Sequence, residues 1–225
     1  MATHRLLFLL VALVSRCGVV DLSAQKLQII HQVLLQGKTV QLDSWMSVDP
    51  SVSVKITTLK WYLSVQGKTA QTYLLDLSEP TSLIQSVKYP KGSRLYFGVD
   101  SQTQVLSTRP GALDPIHGMY WTWQSGYIQW KLEGVMKTDT AEIPIQLHLG
   151  GFQNNLQTGE LLPPLPKWDP ANSLQITWLL DELLRSITPQ TARVMSPSRM
   201  AQEYAQRIAG GVSYGLVPIN TDHKP

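Results

Sequence analysis

The chain has 225 residues and a mass of 25.2 kDa, with 43% hydrophobic and 16% charged residues and a formal net charge of +3. That balance belongs to a packed globule and excludes both a disordered chain and a polycation built for nucleic acid. A single cysteine, Cys17, excludes a disulfide framework.

Residues 1–24 read as an export signal. A short basic start (His4, Arg5) precedes the apolar run "LLFLLVALV", which is too short to span a bilayer and suits a signal-peptide core. Cleavage is expected after "LSA", so that the mature chain begins at Gln25. A lipoprotein signal places a small residue before its cysteine; Arg16 stands there instead, and no lipid anchor is expected. Removing this segment takes away Arg5, Arg16 and Asp21, leaving 17 basic and 15 acidic side chains and no thiolate ligand or nucleophile.

The mature region is written mostly in strands. "VLLQGKTVQLD" and "KWYLSVQGKTAQTYLLD" each read as strand, turn, strand. The two "QGKT" copies are not phosphate loops, because Gln32 and Tyr62 stand where that motif needs its first glycine. Alternating runs follow in "RLYFGVD", "MYWTW", "YIQWKLEG" and "IPIQLHLGG", separated by the turn chemistry of "YPKGS", "RPGALDP" and "QSG". A proline-rich connector, "LLPPLPKWDPANS", crosses residues 161–173 and is unsuited to a sheet interior. In "LQITWLL" the sheet resumes, with Leu174, Ile176, Trp178 and Leu180 on one face. The last element is a helix: Ser196 as N-cap, Pro197 in the first turn, a stripe of Met200, Tyr204 and Ile208, and Gly210-Gly211 as its end. Many short strands with polar turns predict an all-β fold. The expected form is a mainly antiparallel, Greek-key-like β-sandwich with one or two short C-terminal helices. The expected layout is one domain over residues 25–215 and a tail over 216–225.

Local motifs for catalysis are weak, and the chain is read as a binding protein rather than an enzyme. "GVSYG" at 211–215 matches a serine-hydrolase turn, but a helix precedes it and Asp222 and His223 follow too soon. Glu133 in "KLEG" and Asp100 in "GVDS" read as turn or cap residues. His31, among apolar neighbours in "LQIIHQVLL", and His148, at a strand end in "IQLHLGG", read on spacing alone as structural histidines. In "GMYWTWQSGY" strand geometry puts Met119, Trp121 and Trp123 side by side on one face. They fit core packing, a stacking platform or redox chemistry.

The run "FGVDSQTQVLSTRPGALDPIHGMYWTWQSGYIQWKLEG" and the later "IQLHLGGF" closely resemble the MbnP-like family, copper-binding proteins associated with methanobactin and other copper-responsive operons. "TTLKWYLS", "YLLDLSEPTSL" and "VMSPSRMAQEYAQRIA" share that pattern, whereas residues 153–190 diverge from it. The resemblance implies a periplasmic or secreted β-sandwich that holds one copper ion, mainly as Cu(I), in copper homeostasis. It implies that Trp121, the first tryptophan of W-x-W, is oxidised to kynurenine by a partner diheme enzyme of the cytochrome c peroxidase/MauG type. It carries His31 and His148 over as metal ligands that converge near Trp121. Met119, Tyr120 and Trp123 are then neighbours that line the site, Met119 offering a soft sulfur. Two other classes stand beside this one: a carbohydrate- or small-ligand-binding sandwich that uses tryptophan as a platform without metal, and a purely structural β-domain.

Overall fold

A computed structural model describes residues 25–66, 71–89, 93–99, 103, 110–122, 125–151 and 172–219. The export segment with Cys17, Asp100, Trp123, the proline-rich connector up to residue 171, and residues 220–225 lie outside the described residues.

The first sheet grows from β1 (Gln25–Leu35), where Leu27, Ile29, His31, Val33 and Leu35 are buried and the residues between them are half-exposed. Period-two alternation of this kind places one face of the strand on a core. β1 pairs in parallel with β11 (Asn172–Leu179) and antiparallel with β2 (Lys38–Thr39) and β6 (Ile84–Tyr89). β13 (Val212–Pro218) closes the far edge against β11. The first "QGKT" is the expected hairpin turn, with Gln36 and Gly37 both at positive φ.

The spine of the second sheet is β4 (Val52–Gln66). Along one edge it pairs with β9 (Gly126–Lys137) and β7 (Arg94–Phe97); along the other it pairs with β3 (Trp45–Asp49) and β5 (Gln71–Asp76). Outward from β9 come β10 (Glu142–Gly150) and the short parallel β12 (Arg193–Val194), while β8 (Tyr120–Thr122) folds back on the start of β9. Apart from β1–β11 and β10–β12, the pairings among the described residues are antiparallel.

Between the sheets sits an aromatic centre. Trp61 and Trp130 of the second sheet meet Trp178 of the first with ring centroids 5.2–5.3 Å apart, and Phe97 stacks on Trp178 at 4.2 Å. Truncating one of these large rings to alanine costs about 3–5 kcal/mol in a packed core. Leu174, Ile176, Trp178 and Leu180 are all buried on one face, as the alternation in "LQITWLL" predicts.

Two helices follow β11. α1 (Asp181–Ser186) is a short turn that buries Leu183 and Leu184 and had no clear sequence signal. α2 (Arg199–Gly210) is the predicted helix, burying Ala201, Tyr204, Ala205 and Ile208. Its cap is Ser198 rather than Ser196: the Ser198 hydroxyl accepts from Ala201 N–H at 3.1 Å, leaving Pro197 ahead of the helix. "GVSYG" lies in the turn and edge strand that follow, so Ser213 sits on β13 and not at a nucleophile turn. The predicted domain end at residue 215 also falls inside that strand.

His31 occupies a core position in this frame, 4% exposed, its ring 6.0 Å from Trp61 and 6.1 Å from Trp178. Trp178 Nε1–H donates to His31 Nδ1 at 3.1 Å. Because indole can only donate, Nδ1 carries the lone pair and the neutral ring keeps its proton on Nε2. Burial lowers the His31 pKa from 6.5 to about 3. In the unfolded chain this imidazole takes up a proton as the pH falls through 6.5, while in the fold it does not until about 3. Its contribution is therefore present in full above pH 6.5 and is lost progressively as the pH drops toward 3, by roughly 5 kcal/mol in all. We expect urea-unfolding midpoints to fall steeply between pH 6.5 and 4, and the slope to flatten in His31→Asn, which keeps an acceptor for Trp178. An equal slope in both proteins would contradict this assignment.

Candidate functional site

The register that seats Trp61 against Trp130 in the core also decides what faces the other way. Trp61 and Trp130 are Cα partners, and Leu149 pairs with Trp130, so all three point inward. The residues between them on each strand, Lys60 and Tyr62 on β4, Lys131 and Glu133 on β9, and His148 on β10, point to the outer face.

Residues 110–122 form a flap over that face. A 3-10 turn at Gly111–Leu113 leads to a second at Pro115–His117, where the Asp114 carboxylate accepts from Ile116 N–H at 3.0 Å. The chain then turns at Gly118 (φ 67°) into Met119 and β8. Ile128 N–H donates to Met119 O at 2.9 Å, and the Tyr127 hydroxyl donates to Leu113 O at 3.0 Å. Beneath the flap Tyr62, Val99, Leu113, Met119, Tyr127 and Ile128 make a second small core, with Tyr120 and Trp121 packed against it. The Tyr127 ring lies edge-on to Tyr62 at 6.0 Å and to Tyr120 at 4.9 Å.

Charge is gathered on the same face. Glu133 Oε1 lies 2.7 Å from His148 Nε2 and 3.4 Å from Lys131 Nζ, while Lys60 pairs with Asp76 at 2.8 Å. A Cβ on Gly118 would lie 3.8 Å from Lys131 Nζ, so the flap passes directly over this group. Partial burial opposes ionisation of Glu133, but the hydrogen bond from His148 and the Lys131 charge outweigh it and hold the pKa below the ordinary carboxylate value. For His148, 7% exposed, burial lowers the pKa; the Glu133 hydrogen bond opposes that shift without cancelling it, and the Lys131 charge adds to it. At neutral pH the pair is thus a carboxylate and a neutral imidazole. A carboxylate can only accept, so Nε2 carries the ring proton and Nδ1 keeps the lone pair.

The structure brings some of the expected residues together and separates others. His148 and the Trp121 flap share the outer face of the second sheet. His31 does not join them: it lies between the sheets, on the other side of the strands that carry His148. The expected convergence of His31 and His148 near Trp121 is not found, because strand period two sends His148 away from the core that His31 occupies. Met119 is fully buried in the flap core, Tyr120 is half-buried on Tyr127, and Trp123 lies outside the described residues. Trp121 is half-buried, with its indole Nε1 shielded and without a partner among the described residues.

Sequence reasoning missed Glu133 and Lys131, which it took for a turn or passed over. Their signal was present: two charges at i and i+2 of a strand share one face, and the turn at 138–141 sets His148 opposite Lys131. It also passed over His117, whose Nε2 lies 3.0 Å from Gly111 O inside the flap.

Tested against a copper ion, the two histidines differ. His148 fits: its Nε2 is tied to a carboxylate, the usual support of a metal-bound imidazole, and Nδ1 has no partner among the described residues. His31 does not fit, because the lone pair of its Nδ1 is taken by Trp178 and Nε2 bears the proton. Among the described residues no three His, Cys, Asp or Glu side chains are grouped as a metal site, and no helix is long and apolar enough to cross a membrane.

None of the curated proteins compared matches the chain. Among solved structures, MbnP from Methylosinus trichosporium is similar, with a TM-score of 0.51 at 16% identity, covering 86% of this chain and 99% of that one. At that identity the likeness speaks for the fold alone. The family model described as MbnP matches residues 25–200, which takes in the flap and the charged outer face and ends before β13. The chain belongs to the MbnP family.

Proposed function

We propose that this is an exported copper-binding protein that holds Cu(I) on the outer face of its second sheet and serves copper homeostasis. The observation that carries the reading is His148, oriented by Glu133 through Nε2 and presenting Nδ1 without a partner among the described residues. Neutral imidazole suits Cu(I), which accepts low coordination and does not require thiolate. Trp121, on the flap over the same face, is the residue we assign to oxidation by a partner diheme enzyme. Kynurenine offers an aryl amine and a ketone where indole offers no lone pair. Trp121 is half-buried at the edge of the flap core, which leaves part of the residue open to such a partner. His31 is left out of the ligand set for the reason given above.

One observation favours a second reading, a site for a small polar ligand. A cleft of about 350 Å³ opens beside the flap, lined among others by Tyr73, Asp76, Glu79, Ser82, Gln85 and His117. That is within the size of small-molecule sites. Metal content and intact mass of protein purified from its own host separate the two readings.

On the copper reading, protein made with its diheme partner carries one copper, and peptide mass spectrometry finds a Trp121 that has lost a carbon and gained an oxygen. His148→Ala loses the metal. Glu133→Ala weakens binding by about 10–100-fold, the usual effect of removing a carboxylate behind a ligating histidine. His31→Asn keeps copper. Trp121→Phe loses it while costing only on the order of 1–2 kcal/mol of stability. Stoichiometric copper in purified His148→Ala would sink the assignment.

A further inference from the structure

We propose that Lys131 sets which cations the His148 site accepts, admitting a singly charged ion and discriminating against divalent ones. The proposal rests on the copper reading above and concerns a residue to which that reading gives no part. Lys131 and His148 are Cα partners on β9 and β10, so both side chains rise from one row of the outer face. Glu133 Oε1 joins them: it accepts from His148 Nε2 at 2.7 Å and lies 3.4 Å from Lys131 Nζ. Lys60, the Cα partner of Lys131 on β4, directs its own charge to Asp76 at 2.8 Å. Among the described residues, Lys131 is therefore the lysine that answers Glu133.

The consequence is a charge balance. Without Lys131 the imidazole would have an uncompensated carboxylate behind it, the arrangement that supports divalent zinc on histidine. With Lys131 on the same oxygen, the carboxylate still fixes the ring while the two charges sum to zero. Taking an ion out of water costs more the higher its charge, and a pair of zero net charge returns little of that cost through Coulomb attraction. A soft, singly charged ion on neutral imidazole depends on that return least. Solvent does not erase the effect. The Lys131 side chain is 16% exposed, and the flap crosses it at Gly118. Partly buried charges are screened much less by salt than exposed ones.

Metal titrations of the full chain separate a charge from a clamp. The probes are Cu(I) and Zn(II), each competed against a chelator of known affinity, in wild type, Lys131→Met and Glu133→Gln. Methionine keeps the length and removes the ammonium. Glutamine keeps an acceptor for His148 Nε2 and removes the carboxylate charge. The energy of an ion in a fixed field is proportional to its charge, so each substitution acts on Zn(II) as the square of its effect on Cu(I). We expect Lys131→Met to tighten Cu(I) about threefold and Zn(II) about tenfold, and Glu133→Gln to weaken both in the same proportion. Lys131→Arg, which keeps the charge, should stay near wild type. Equal factors for the two ions in Lys131→Met, or weakening of both, would mean that Lys131 only holds Glu133 in place, and overturns the proposal. Should Lys131→Met fail to fold, Glu133→Gln decides, and equal factors there overturn it as well. A wild type that binds neither ion, or His148→Ala that binds both unchanged, overturns the copper reading first and this proposal with it.

Discussion

The pairing of β4 with β9 in the register Trp61–Trp130 is the constraint on which the rest depends. It delivers two tryptophans to Trp178 of the opposite sheet and so joins the sheets. By the same stroke it turns Lys60, Tyr62, Lys131 and Glu133 outward. A slip of one residue would exchange the faces, placing two lysines and a glutamate against the aromatic centre. Burying those charges without partners would cost far more than the core gains from any ring. The register is therefore held from both sides, by what must be inside and by what cannot be.

That constraint also explains what the sequence disclosed and what it hid. β1 and β11 are legible because each has one covered and one more open face, and their hydrophobic residues alternate accordingly. β9 is harder: Tyr127, Ile128, Gln129 and Trp130 are buried in succession, because the flap covers the face that would otherwise be wet. A continuous buried run carries no sidedness. The family pattern marked His31 and His148 as conspicuous residues. Only the strand pairing and packing show that His31 belongs to the core and His148 to the outer face of the second sheet. The start of α2 was misplaced by two residues for a local reason, since two serines flank Pro197 and only Ser198 reaches the Ala201 amide.

The two histidines show how environment divides one chemistry into two roles. Among the described residues the one hydrogen bond of His31 comes from an indole, and burial favours its neutral form. It behaves as a polar tenon in an aromatic joint, fixing the Trp178 ring more than offering a reactive nitrogen. His148 keeps a carboxylate on one nitrogen, with a lysine sharing the same carboxylate oxygen. That arrangement fixes a tautomer and leaves a lone pair, which is the starting condition for ligation or proton exchange.

Fold and ligand are consequently separable in this molecule. In small metal-nucleated domains the donors are also the core, so that binding free energy is folding free energy. Here the sheets are joined by Trp61, Trp130, Trp178 and Phe97, and the fitting imidazole lies on the far side of the strands that carry two of those rings. Nothing in the joint waits for an ion. Among the described residues, the flap is tied by the Ile128–Met119 and Tyr127–Leu113 hydrogen bonds and by the small aromatic cluster, and it carries Trp121 at its edge. Local opening of such a segment requires far less free energy than global unfolding. On the copper reading proposed above, the separation of the joint from the flap lets Trp121 and the outer face change state while Trp61, Trp130, Trp178 and Phe97 stay packed.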